Sequence, residues 1–184
     1  RLLSSDNNLS LLTVTPGSLA PTFTSSTLDY TVNVATNVTS VTVSATKSDP
    51  NAVISGDLPS QGQATIQLDR PGISKVVSIT VTAPSGASQT YTVTVNRAAS
   101  SDDTLSALSV TPGSLDPTFA ANTLSYTVNM ATTVTSVDVS ATKADADAVM
   151  SGDVTAGTGI ATGQATIPLD GPGTSKVVSI TITA

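Results

Sequence analysis

The chain has no cysteine, no histidine and no tryptophan among its 184 residues. Without cysteine there are no disulfides and no thiolate metal sites, so a core must hold by apolar packing and sheet hydrogen bonds. Without histidine or cysteine, the usual nucleophile–base pairs of covalent catalysis cannot form within this segment. Aromatic residues are 3%, carried entirely by Phe23, Tyr30, Tyr91, Phe119 and Tyr126. Charged residues are 11%, where an average soluble chain has about 25%. Seven scattered Lys and Arg against thirteen acids give a net charge of −6. Nucleic acids and anionic membranes both select clustered cations, so neither is an expected partner. No apolar run reaches the roughly 18 residues of a membrane-spanning helix, so no membrane insertion is expected of this segment.

What is present is one unit written twice. Thr13-Val-Thr-Pro-Gly-Ser-Leu-Ala-Pro-Thr-Phe23 returns as Ser109-Val-Thr-Pro-Gly-Ser-Leu-Asp-Pro-Thr-Phe119, 96 positions on. Tyr30-Thr-Val-Asn-Val34 returns as Tyr126-Thr-Val-Asn-Met130 at the same offset. A period of that length is a whole small domain rather than a solenoid turn.

Within each copy, short runs alternate apolar residues with Thr or Ser, the period of a half-buried strand. Seven strands are expected in copy one, near Leu11–Thr15, Tyr30–Val34, Val41–Ala45, Ala52–Ile54, Ala64–Leu68, Val77–Thr82 and Gln89–Val95. Seven strands in so short a span predict an all-β antiparallel sandwich, two in tandem. The expected inward rows are Tyr30/Val32/Val34, Val41/Val43/Ala45, Ala64/Ile66/Leu68, Val77/Ile79/Val81 and Tyr91/Val93/Val95. Pro84-Ser85-Gly86-Ala87 reads as a hairpin joining the last two strands.

Residues 1–8 read as the linker from a preceding repeat, because Arg1 stands where Arg97 stands in the next copy. Repeat one spans 9–97, a linker spans 98–104, and repeat two spans 105–184. Gly56 to Gly62 is 6 positions and Gly152 to Gly163 is 11, so copy two carries five extra residues there. Copy two has no counterpart of Pro84–Val95. Burying Tyr91, Val93 and Val95 is worth roughly 1.5–3 kcal/mol each, so copy two is expected to be completed from elsewhere. Either the polypeptide continues, or a neighbouring chain donates the strand.

The succession Leu-Ser-x-Leu-x-Val-x-Pro-Gly, Tyr-Thr-Val-Asn-Val, Val-Thr-Ser-Val-x-Val-Ser-Ala-Thr and Thr-Tyr-Thr-Val-Thr-Val-Asn-Arg resembles the cadherin-like β-sandwich domain family. The resemblance covers Leu9–Arg97, and Leu105–Ala184 without its last strand. It implies a surface-exposed, non-catalytic tandem repeat of a large secreted or cell-surface protein, and it transfers no functional residues.

The residues offer four kinds of candidate site. Ca²⁺ takes oxygen ligands, and Asp145, Asp147 and Asp153 share one loop region, with Asp102 and Asp103 in the linker. Copy one offers only Asp49, Asn51 and Asp57 there, and Leu68-Asp-Arg70, similar to a cadherin calcium motif, is followed by Pro71. No metal or cofactor is therefore expected. Loop aspartates such as Asp49, Asp57 and Asp69 read as turn formers rather than catalytic pairs, so the chain is expected not to be an enzyme. A glycan platform needs exposed aromatics, whereas all five here read as core. Asn8-Leu-Ser10 and Asn37-Val-Thr39 are sequons, with Thr104 and Thr133 standing in place of the Asn in copy two.

The remaining candidate is a surface: Val154–Thr162, the loop where the copies diverge, which reads first as a neutral insertion at a tolerant position and second as a recognition loop. The expected role is an extracellular structural or adhesive repeat, a rigid spacer of a stalk, layer or filament. Its expected partners are neighbouring repeats of the same polypeptide or copies of the same protein. Two other roles fit the same residues: an accessory binding module of a secreted enzyme, and a fibre subunit completed by a strand donor in trans.

Overall fold

The computed structural model describes residues 2–184; Arg1, assigned above to the incoming linker, lies outside the described residues. The chain divides into two compact units, Arg1–Ala99 and Ser100–Ala184. Both are all-β.

The first unit contains β1 (Leu9–Thr15), β2 (Asp29–Val34), β3 (Ser40–Lys47), β4 (Val53–Gly56), β5 (Gln63–Gln67), β6 (Ser74–Thr82) and β7 (Ser88–Arg97). All seven expected strands form, with ends shifted by at most three residues. β-Branched residues on alternating positions favour a pleated, half-buried surface, and Thr supplies that preference on the wet face. One sheet has the order β1-β3-β5 and the other β2-β7-β6-β4. The hairpin closes as expected, with the Ala83 amide donating to the Ala87 carbonyl at 2.8 Å.

One pairing departs from the antiparallel pattern: β2 runs parallel to β7, with Tyr30 beside Val93 and Val32 beside Val95. β3 to β6 lie between them in sequence, so no short turn forces the two strands to run oppositely. β7 is thus an interior strand, bonded to β2 on one side and β6 on the other.

Four of the five inward rows are buried as expected. The fifth, Ala64/Ile66/Leu68, packs against the core but stays half-buried. β5 is an edge strand with β3 as its single neighbour, which leaves its flank open to water. Tyr91 anchors the centre. Its hydroxyl donates to the Ser25 carbonyl at 2.8 Å and accepts from the Leu9 amide at 3.1 Å and from Gln89 Nε2 at 3.0 Å.

The aromatic residues are not uniformly core. Tyr30 and Tyr91 are buried, whereas Phe23, Phe119 and Tyr126 are half-buried. Phe23 and Phe119 lie on the long connection after the first strand of each copy, where each ring covers a neighbouring Tyr at 6.0 and 6.2 Å between centroids.

The second unit contains β8 (Leu105–Thr111), β9 (Ser136–Lys143), β10 (Val149–Gly152), β11 (Thr162–Pro168) and β12 (Ile180–Thr183). Its first sheet, β11-β9-β8, reproduces β5-β3-β1. Its second sheet is only β10-β12. The counterpart of β2, Tyr126–Met130, forms no strand and keeps one isolated bridge, Asp116 to Thr127. The counterpart of the first half of β6, residues 175–179, forms none either. Both segments border the position that β7 fills in the first unit, and a strand needs a hydrogen-bonded neighbour to persist.

Candidate functional site

The loop Val154–Thr162 is built from its ends inward. β10 stops at Gly152, whose φ of 105° is open only to glycine, and a side chain there would strike the Ser179 carbonyl. Gly56 holds the same position in the first unit against Ser78. Asp153 then clamps the chain: its amide donates to the Ser179 carbonyl at 2.9 Å, and its carboxylate accepts the Ser179 amide at 2.7 Å.

Val154 and Ala156 turn inward and are buried. Ala156 pairs with Met150 through two backbone bonds, at 2.9 and 3.1 Å. The Gly159 amide donates to the Ala146 carbonyl at 2.9 Å, and the Lys143 amide to the Ala161 carbonyl at 2.9 Å. What remains outside is a short tip, with Ile160 58% exposed. The insertion is therefore an ordered projection with an apolar end, not a slack excursion.

The residue that holds it is Lys143, which is only 2% exposed. Its ammonium donates to the carbonyls of Ala146 and Gly157, each at 2.9 Å, and to that of Ala148. Three N–H donors meet three carbonyl oxygens, so the buried charge is satisfied without a carboxylate. Lys47, its equivalent, donates to the Ala52 carbonyl and stays half-buried, because the shorter loop brings nothing comparable to Gly157. A lysine with all three donors engaged is an anchor, not a nucleophile.

Sequence reasoning passed over this residue. Its signal was available: Ala-Thr-Lys closes the same strand in both copies, at Lys47 and Lys143.

The acidic residues act as turn caps. Asp49 Oδ1 accepts the Asn51 amide at 2.8 Å, and Asp145 Oδ1 accepts the Asp147 amide at 2.9 Å. Asp57 accepts the Ser78 amide at 2.7 Å, as Asp153 does with Ser179. In the linker, Asp102 Oδ1 accepts the Thr104 hydroxyl at 2.7 Å and its amide at 3.0 Å. Asp69 faces Lys75 at 3.7 Å, an exposed pair of little energetic weight. Among the described residues, no three His, Cys, Asp or Glu side chains gather to hold a metal ion. Asn8 is engaged with Asp6 and Gln89, whereas Asn37 lies exposed in a turn.

These caps set a pH dependence. The Thr104 hydroxyl and amide hold the Asp102 carboxyl below its ordinary range. The Asn8 amide, with Ser48, does so for Asp6, and the Ser4 hydroxyl, with the Asn51 amide, for Asp49. A depressed carboxyl contributes stability above its unfolded pKa, and that contribution disappears as pH falls through the folded value. NMR titration of the side-chain carboxyl carbons should place all three midpoints below the ordinary Asp value of 3.8. Midpoints at or above that value would mean that the caps are not formed in solution.

A polar depression crosses the outer face of β8, β9 and β11, lined by Ser109, Thr111, Asp138, Ser140 and Gln164. It has no aromatic floor for a sugar ring, and Asp138 is engaged by the Thr166 hydroxyl at 2.6 Å. No helix of the described residues is long and apolar enough to cross a membrane.

Comparison with family models gives a match to the cadherin-like beta sandwich domain over residues 9–98 and again over 105–184. Comparison with curated proteins and with solved structures gives no match.

Proposed function

Because the chain belongs to the cadherin-like beta sandwich domain family, whose members are typically non-catalytic and commonly extracellular, we propose that it is a structural or adhesive repeat of a cell-surface or secreted protein. The observation that carries this reading is the immediate repetition of one sandwich pattern, with residues 99–104 between the two matched segments. Tandem sandwiches supply length and repeated contact surfaces, and a mechanical role needs no constellation of reactive groups. The Ser- and Thr-rich, acidic surface keeps such an array soluble.

The adhesive part falls to the Val154–Thr162 projection. Its backbone is fixed before contact, so little ordering entropy opposes binding through the Ile160 tip.

Brief protease treatment of intact cells of the native host tests the location. Release of peptides from residues 9–184, without release of cytoplasmic proteins, is the expected result. Full protection of these sequences until the cells are lysed would reject a surface role.

A further inference from the structure

Among the described residues, the first sandwich ends its two sheets on β1 and β5 and on β2 and β4. An edge strand offers unpaired N–H and C=O groups to any extended segment. Folds blunt such edges with a bulge, a short strand, a charge, a proline or a covering segment. Three of these four edges are blunted. β1 shifts register between Leu9 and Leu11. β4 is only four residues long. β2 is covered at Thr31, which exchanges two backbone bonds with Ala20, both at 2.8 Å. β5 has none of these devices: Gln63-Ala-Thr-Ile-Gln67 is regular in register, uncharged and free of proline.

The register with β3 fixes which groups of β5 are free. The Leu68 amide donates to the Thr39 carbonyl at 2.8 Å, and the Ala45 amide to the Gly62 carbonyl at 2.7 Å. Antiparallel pairs alternate, so the even-numbered residues bond β3, and the N–H and C=O of Gln63, Thr65 and Gln67 point away from it. The side chains of these three are exposed. The free set is self-complementary. Laid antiparallel on its own copy about Thr65, the strand puts Gln63 opposite Gln67, Ala64 opposite Ile66 and Thr65 opposite Thr65. Every outward donor then meets an outward acceptor, and the half-buried Ala64/Ile66/Leu68 row gains cover along its open flank. No like charges oppose each other, because Asp69 and Arg70 come opposite Gln61 and Ser60.

The second unit has the same edge with a stop on it. β11 carries Gln164-Ala-Thr-Ile167 in the register of Gln63-Ala-Thr-Ile66, and then Pro168 where Gln67 stands. The Leu169 amide bonds the Thr135 carbonyl at 2.8 Å, so Pro168, one residue earlier, faces outward. Its ring removes an edge donor at no cost to the ladder with β9.

We infer that β5 is a self-association edge, at which two copies of this chain join antiparallel about Thr65 and continue the β1-β3-β5 sheet from one molecule into the next. Main-chain hydrogen bonds supply the attraction. A slip of one residue would set free groups against groups already bonded to β3, and that fixes the register. A single strand pair is a small interface, so the contact is weak and reversible. It lies on a different unit from the Val154–Thr162 projection, and it does not depend on where the protein resides.

The test uses the 184-residue chain. Its apparent mass by sedimentation equilibrium should rise above that of the monomer as concentration approaches about 1 mM. Over the same range, amide exchange read by NMR should slow at Gln63, Thr65 and Gln67, and not at Gln164 or Thr166. Gln67→Pro copies the edge of β11 and should abolish association without moving the first unit's melting temperature. Thr65→Lys sets like charges opposite each other and should abolish it too. Mixing equal amounts of Thr65→Lys and Thr65→Asp should restore it, as only a pairing of Thr65 with Thr65 allows. This charge exchange decides the matter even if Gln67→Pro unsettles the fold. A chain that stays monomeric at about 1 mM overturns the inference. So does association undiminished in folded Gln67→Pro or in Thr65→Lys, which would place the contact elsewhere, or a mixture that does not recover.

Discussion

Replacing Tyr91 with alanine melts the first unit far below its wild-type temperature and leaves the second unit's transition in place. The side chain is fully buried on an interior strand, so its loss opens a cavity ringed by core residues that cannot close over it. Aromatic-to-alanine changes in such sites cost about 3–5 kcal/mol, a large part of a small domain's total of about 5–15 kcal/mol. The substitution also strands the Leu9 amide and the Ser25 carbonyl, both of which bond the Tyr91 hydroxyl. Differential scanning calorimetry should show the first unit's transition lowered by at least about 12 °C. Tyr91→Phe keeps the ring and removes only the hydroxyl, so it should cost about 1–3 kcal/mol. If the two variants melt alike, packing around the ring is not what holds this sandwich.

Lys143→Ala has the second largest expected effect, and it acts on the other unit. Three carbonyls lose a charged donor at once. A loss of about 3 kcal/mol in the second unit is expected, because unmet buried polar groups carry their full desolvation penalty. Lys47→Ala, at the half-buried equivalent with one carbonyl partner, should cost about 1 kcal/mol. The difference between the two variants, read by denaturant unfolding, isolates what the longer loop adds. Hydrogen exchange should also show the Gly159 amide losing protection in Lys143→Ala, since its partner, Ala146, is tied to the same ammonium. Equal losses at Lys47 and Lys143 would mean that the lysine does not hold the loop.

The strands of the first unit were legible because their information is local. Alternation of Val and Ile with Thr gives each run one dry face and one wet face, and that holds whichever strand lies beside it. The Pro84–Ala87 turn was legible for the same reason, since turn residues act over four positions.

What escaped was decided by neighbours. Ala64, Ile66 and Leu68 carry the same alternation as the other rows, and only the edge position of β5 explains their partial exposure. Tyr126-Thr-Val-Asn-Met130 is nearly identical to β2, yet only β2 is a strand, because β7 lies beside it. Lys143 is the last residue of its strand. Its burial follows from a loop 14 residues further on. Which amide Asp145 and Asp153 each accept depends on where the carboxylate points.

The sequence by itself determined that this is a doubled all-β chain, because period-two alternation and a 96-residue repeat are properties of residue order alone. Tertiary structure decided which strand is interior, which row stays wet and which lysine is buried. Each of those depends on hydrogen-bond partners and packing surfaces brought together from distant parts of the chain.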